Sequence, residues 1–162
     1  MIRLREALGR SVVARDTAET IGDVGGAVVD PPSGRILAVQ VGKGGKSRLA
    51  DWAVVSGVGP DAVVVESEGS LRDPHGEWEP RVVKGDVPLL GARVLSDRGD
   101  ELGTLDDVEF DESTGRLLTL VAGGQPIAAT RLRSIGSWAV VVSADGGDPP
   151  APPSATRSSS DR

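Results

Sequence analysis

Gly45-Lys46-Ser47 has the residue types that close a phosphate-binding loop, in which a lysine and a hydroxyl meet the phosphates of a nucleotide. The spacing excludes that chemistry. The first glycine of the motif would fall at position 40, which is Gln40, and the surrounding pattern is strand, loop, strand, with no helix N-terminus to hold phosphate. Acidic residues gather at Asp97, Asp100, Asp106, Asp107, Asp111 and Glu112, the oxygen donors that hard cations take, but their order is not that of a calcium loop. Asp106 and Asp107 are neighbours on a predicted strand and point to opposite faces unless a bulge intervenes, so solvated strand and turn positions account for the group. His75, the single histidine, stands in Arg72-Asp73-Pro74-His75-Gly76 with no framework to set it beside a nucleophile and an orienting acid. The chain has no cysteine, which removes disulfides and thiolate zinc sites. No catalytic, cofactor-binding or metal-ligating residue is assigned, no cofactor is expected, and a metal-dependent enzyme is the least favoured function.

Two other features have recognition chemistry. The loop containing Lys43, Lys46 and Arg48 is basic. Trp52 and Trp138 each fall near the end of a segment rich in small aliphatics, where a large aromatic serves as a core plug or as an interface anchor. Trp78 lies between Glu77 and Glu79 with little local core to enter, so it docks across the molecule or onto a partner. Trp52, Trp78, Lys43, Lys46 and Arg48 are therefore the candidate partner-binding residues.

The elements that position them occur twice. Leu8-Gly9, Ile21-Gly22-Asp23-Val24 and Asp30-x-x-Ser33-Gly34-Arg35-Ile36-Leu37 recur as Leu90-Gly91, Leu102-Gly103-Thr104-Leu105 and Asp111-x-x-Thr114-Gly115-Arg116-Leu117-Leu118. From Gly22 onward the matched positions stand 81 apart. With one Phe, three Trp and no Tyr, the core must be built from Val, Leu, Ile and Ala, and 22 Gly with 11 Pro favour short strands and tight turns over long helices. Strands are predicted near Ser11–Ala14, Val24–Asp30, Ile36–Val41 and Ala62–Glu66. Their counterparts are Arg93–Ser96, Leu105–Asp111, Leu117–Val121 and Ala139–Ser143, with a weaker one at Gln125–Ala129. Leu37, Val39 and Val41 alternate as Leu118 and Leu120 do, which predicts one buried face in each copy.

The fold expected is mainly β: a first module at residues 1–66, a linker at 67–87 that reads as a tether with a short edge strand at Val82 and Val83, a second module at 88–143, and a disordered tail at 144–162. The tail is rich in Pro, Ser, Gly and Asp and has too little apolar surface to offset its ordering entropy. Residues 1–66 hold eight basic and eight acidic side chains, residues 90–143 five and eight, and the whole chain has a net charge of −6, which disfavours non-specific binding to a nucleic-acid duplex. The first ten residues lack the apolar core of a signal peptide, and no run approaches the roughly 20 apolar residues that span a bilayer, so a cytoplasmic protein without membrane association is expected.

The double pattern of Leu-Gly, hydrophobic-Gly-x-hydrophobic, Asp and Ser/Thr-Gly-Arg before an apolar strand resembles the PRC-barrel family, to which the reaction-centre H subunit and the C-terminal domain of the ribosome maturation factor RimM belong. The resemblance implies two small, partly open β-barrels in tandem. It makes Gly22, Asp30, Gly34, Arg35, Gly103, Asp111, Gly115 and Arg116 family-like fold positions. Arg35 and Arg116 are expected to bond turn carboxylates such as Asp30 and Asp111. The function implied is a non-enzymatic adaptor for a protein partner, with a homodimer as one arrangement. The alternative is a ribosome- or RNA-associated role like that of RimM, in which nucleic acid is met through a ribosomal complex.

Overall fold

The computed structural model describes residues 1–144; the segment expected as a tail lies, but for Ala144, outside the described residues. A short lead-in, β1 (Ile2–Arg3) and α1 (Leu4–Ala7), precedes the first barrel of β2 (Ser11–Ala14), β3 (Thr20–Asp30), β4 (Arg35–Val41), β5 (Arg48–Asp51), β6 (Val55–Val58) and β7 (Ala62–Val65). A helix, α2 (Trp78–Lys84), leads to the second barrel of β8 (Arg93–Ser96), β9 (Glu101–Phe110), β10 (Leu117–Ala122), β11 (Gln125–Ala128), β12 (Leu132–Ile135) and β13 (Val140–Val142). Strand order is β5-β4-β3-β2-β7-β6 in one sheet and β11-β10-β9-β8-β13-β12 in the other, the same path in both copies. Each is antiparallel except for the pairs β2–β7 and β8–β13, which run parallel.

Two strands of the first copy, β5 and β6, fall between the predicted strands Ile36–Val41 and Ala62–Glu66, where the sequence pattern predicts none. A 3-10 segment at Trp52–Val54 serves as the corner between them. Ala129–Arg131 does the same between β11 and β12. Corners of this kind curl each sheet into a barrel without closing a ladder between its first and last strands.

The expected alternation on the third strand of each barrel, β4 and β10, fails at one point in each copy. Leu37 is 47% and Leu118 38% exposed, while Ile36, Ala38, Val39 and Leu117 are buried. Register shifts between Val28 and Val29 and between Leu117 and Thr119 account for this: each leucine is the extra residue of a bulge, and a bulge turns that side chain out of the pleat. A third shift, between Val121 and Ala122 opposite Asp107 and Leu105, places a bulge at Asp106.

Residues 67–87, expected as a tether, hold a 3-10 turn at Glu68–Ser70 and the helix α2, and Val82 and Val83 are helical instead of forming an edge strand. Pro80 sits in the first helical turn, where its missing N–H has no intrahelical partner, and Gly85 ends the helix at φ 88° with the Asp86 N–H on the Arg81 carbonyl. The helix lays Trp78, Val82 and Val83 on the outer face of the first sheet over Val28, Ala38 and Leu49. Leu49 and Arg72 exchange backbone hydrogen bonds of 2.7 and 2.9 Å, covering the edge of β5. Among the described residues no helix is long and apolar enough to cross a membrane.

Candidate functional site

The repeated turn positions form local frames. Asp30 accepts from the Ser33 N–H and Asp111 from the Ser113 N–H, and the Gly34 and Gly115 N–H groups close on the same aspartates' carbonyls. Gly22 and Gly103 lie where the second strand of each barrel crosses the end of the third, so tightly that a Cβ would stand 2.7 Å from Val41 Cγ1 or 3.0 Å from the Gly123 backbone.

The two central hairpins face each other. The Ile36 N–H donates to the Gly115 carbonyl and the Leu117 N–H to the Gly34 carbonyl, both at 2.8 Å, and Arg35 and Arg116 stand opposite each other as an isolated antiparallel bridge. These are equivalent bonds exchanged by equivalent residues, the pattern of a twofold contact. Neither arginine meets the aspartate of its turn: Arg35 donates through Nη2 to the Thr114 carbonyl of the other barrel at 2.6 Å, and the Arg116 side chain is exposed with no side-chain bond among the described residues. The expected carboxylate pairs do not form because the opposing hairpin presents a carbonyl within reach of Arg35.

Trp52 lies in the same interface. Its ring meets Phe110 of the second barrel edge-on with centroids 6.4 Å apart, and it covers Gly115 so closely that a Cβ there would be 3.0 Å from Cδ2 and Cε2. It is a plug between the barrels. One core cluster accordingly joins Ile2, Leu4, Val29 and Ile36 from the first copy to Phe110, Leu117 and Leu120 from the second. Trp138, by contrast, is 68% exposed under the guanidinium of Arg93, 4.7 Å from its ring.

Arg72 holds the segment before α2 in place. It donates to both Asp51 oxygens at 3.0 and 3.2 Å and makes a two-pronged pair with Glu79 at 2.7 and 2.8 Å. That hydrogen-bonded pairing, helped by the His75 backbone N–H, pulls the Glu79 carboxyl down to about 2, and the two acids raise Arg72 in turn. His75 thus contributes its backbone, and its imidazole is exposed 3.8 Å from Glu79. The structure gives it no nucleophile.

Of the basic loop, Arg48 reaches Glu68 at 3.4 Å across the surface, while Lys43 and Lys46 are exposed and make no ion pair among the described residues. Lys84 of α2, which the sequence did not single out, joins them: its side chain passes 3.7 Å from where a Gly45 Cβ would be. Between the barrels, beside this cluster, opens a cleft of about 390 Å³. One wall is Gly25, Gly26, Ala27 and Val29 of β3, the other Val87 to Leu90, with Lys43 and Lys84 also lining it. Its volume is near the lower end of the roughly 300–1,000 Å³ of ligand sites. Gln40, 6% exposed, also lines it. Its Nε2 donates to Ser47 Oγ at 3.0 Å and to the Val83 carbonyl at 3.3 Å, which fixes the amide's orientation because only the NH₂ end can meet a carbonyl. Of the candidate partner-binding residues, the structure brings Trp78 and Lys43 to the cleft, sets Lys46 beside Lys84 in a neighbouring hollow and places Trp52 in the interface. The signal for Gln40 was a single amide in the apolar run Ile36–Val41.

No three residues of the described part form a cluster of His, Cys, Asp or Glu able to hold a metal ion. The family model for the PRC-barrel domain matches the chain twice, at residues 1–71 and 83–147. No curated protein matches it.

Proposed function

Because the chain belongs to the PRC-barrel domain family, with two copies in tandem, we propose that it works as a non-enzymatic protein-interaction adaptor. The observation that carries this reading is the division of roles among its residues. Repeated turn positions serve local frames and barrel-to-barrel contact, whereas the open apolar cleft and its lysines, unpaired among the described residues, serve neither. An apolar groove with charges at its rim is the composition of a recognition surface. The same reading sets the protein in the cytoplasm, which cell fractionation checks. Crosslinking of the full chain in extract of its own cells should recover the same protein in independent preparations; recovery of none sinks the adaptor reading.

A ribosome- or RNA-bound role is the second reading, favoured by the grouping of Lys43, Lys46 and Lys84 on one surface. Three phosphate contacts predict a slope of about −2 in log K against log salt on single-stranded RNA. Binding without salt dependence, or no co-sedimentation with ribosomal particles, removes this reading.

A further inference from the structure

The two barrels differ in what covers the outer half of their longest strand. In the second barrel, β9 pairs with β10 on one edge, and β1 adds to the other: Ile2 stands opposite Phe110 and Arg3 opposite Glu109. Continued by two residues, that register sets Arg5 opposite Asp107, and there the Arg5 N–H donates to Asp107 Oδ1 at 3.0 Å. Asp107 is 5% exposed, and its Oδ1, which also takes the Val108 N–H at 2.8 Å, is a buried acceptor on the outer face of this sheet that the backbone of an added segment meets. Arg3 also pairs with Glu109 at 3.1 Å, and Arg5 Nε donates to the Asp106 carbonyl: a basic segment on an acidic edge.

The first barrel has the same edge without the added strand. From Gly26 to Asp30, β3 pairs with β4 alone. The residues 81 positions before Asp107 and its cross-strand partner Val121 are Gly26 and Gln40, which are themselves register partners. The buried acceptor is present here too, supplied by the other strand: Gln40 Oε1 lies over Gly26, 2.8 Å from where a Cβ would be, so a side chain there would have to displace the amide. Both hydrogen bonds of the Gln40 side chain use Nε2, and Oε1 accepts none among the described residues. The segment that leads into the second barrel passes this edge as the helix end and the loop from Lys84 to Leu90, standing off it and leaving the 390 Å³ cleft.

We propose that this cleft takes an extended acidic segment of a partner protein as an added strand on β3. The segment presents a backbone N–H to Gln40 Oε1, as Arg5 does to Asp107, and one aliphatic side chain to the apolar wall. Its acidic side chains meet Lys43 and Lys84. Strand addition gives affinity through main-chain bonds and selectivity through alternate side chains. The charge of the rim chooses an acidic occupant, as the acidic edge of the second barrel is matched to Arg3 and Arg5. For the kind of occupant the inference rests on the protein-binding reading above.

The test pans a random decapeptide library against the full chain, with the Lys43→Glu/Lys84→Glu variant as counter-target. Both lysines are exposed and make no ion pair among the described residues, so the variant keeps the fold, which circular dichroism verifies. Selected peptides should alternate Ile, Leu, Val or Phe with Asp or Glu, slow amide exchange across Gly25–Asp30, and lose about ten-fold or more in affinity for the variant. N-methylation of alternate peptide amides should abolish binding in one of the two phases. The proposal is overturned by failure to enrich acidic sequences, by protection confined to other elements, by undiminished binding of both N-methylated forms, or by a concentration-dependent dimer that protects β3 in place of peptide. A crosslinked partner with no selected peptide refutes the cleft and leaves the adaptor reading standing; peptides that bind as described with no partner recovered do the reverse.

Discussion

Gly34 and Gly115 are equivalent by the repeat, yet alanine at each should cost different amounts, and the difference measures the contact between barrels. Both residues are left-handed, at φ 66° and 77°, so an added Cβ carries about 1 kcal/mol of backbone penalty at either. At Gly34 that Cβ would meet nothing within 4 Å. At Gly115 it would stand 3.0 Å from Trp52 Cδ2 and Cε2 and 3.4 Å from the Ile36 carbonyl oxygen, and must displace the indole that fills the interface. Overpacking of this kind adds about 1–3 kcal/mol. The expected loss is thus about 1 kcal/mol for Gly34→Ala and about 2–4 kcal/mol for Gly115→Ala. Urea unfolding of the full chain, followed by far-ultraviolet circular dichroism, gives both values. Trp52→Leu completes the cycle: in that background the two costs should converge to within about 0.5 kcal/mol. Equal costs in the parent chain, or an excess at Gly115 that survives Trp52→Leu, would refute the assignment of Trp52 as the plug between barrels.

Glu79, held at about 2, stabilises the fold fully above its unfolded value near 4.5 and loses that contribution as pH falls from there through 2. Glu79→Gln should cost roughly 1–3 kcal/mol at pH 7 and flatten the loss of urea midpoint between pH 5 and pH 2; a parallel decline in both proteins contradicts it. Leu37→Ser and Leu118→Ser, at exposed bulges, should each change stability by no more than about 0.5 kcal/mol, against about 2–5 kcal/mol for Leu120→Ala in the core, and calorimetry that finds the leucines equivalent would disprove the bulges. Arg35→Ala removes the bond to the Thr114 carbonyl and should cost about 0.5–1.5 kcal/mol, while Arg116→Ala should cost nothing measurable by the same unfolding experiment.

The strands with matching residues in both copies were legible because each depends on local signals: β-branched runs bounded by Asp and Gly turns. What escaped the sequence depends on longer-range geometry. The alternation of Leu37 with Val39 looks unbroken, and only the register against β3 shows that the leucine is extruded. Residues 67–87 look like a tether because Trp78, Val82 and Val83 are too few to suggest a core. Their helical spacing has meaning only against Val28, Ala38 and Leu49, more than 25 residues away. The cleft was invisible for a similar reason: Gly25, Gly26 and Gln40 belong to strands, and Lys84 to a segment read as linker, so no local pattern unites them.

Fusing two copies in one chain permits something that two identical subunits in a closed twofold dimer would not. In such a dimer every edge is met by its twin in the same way. Here the hairpin contact keeps the twofold exchange of bonds between Gly34, Ile36, Gly115 and Leu117, while the lead-in segments have diverged. Residues 1–7 add a strand to the second barrel, and residues 78–90 give the first barrel a helix and a loop that leaves its edge uncovered. The polar contacts follow the same division: in the second copy Glu109 pairs with Arg3, the Asp106 carbonyl accepts from the Arg5 guanidinium and Asp107 accepts the Arg5 backbone N–H, whereas the lysines by the first copy face outward. An unpaired edge is a liability for association with other chains, and in this molecule one of two equivalent edges is covered internally. On the proposed reading, specificity for a partner rests with the uncovered one, where Gln40 and Gly26 replace Val121 and Asp107.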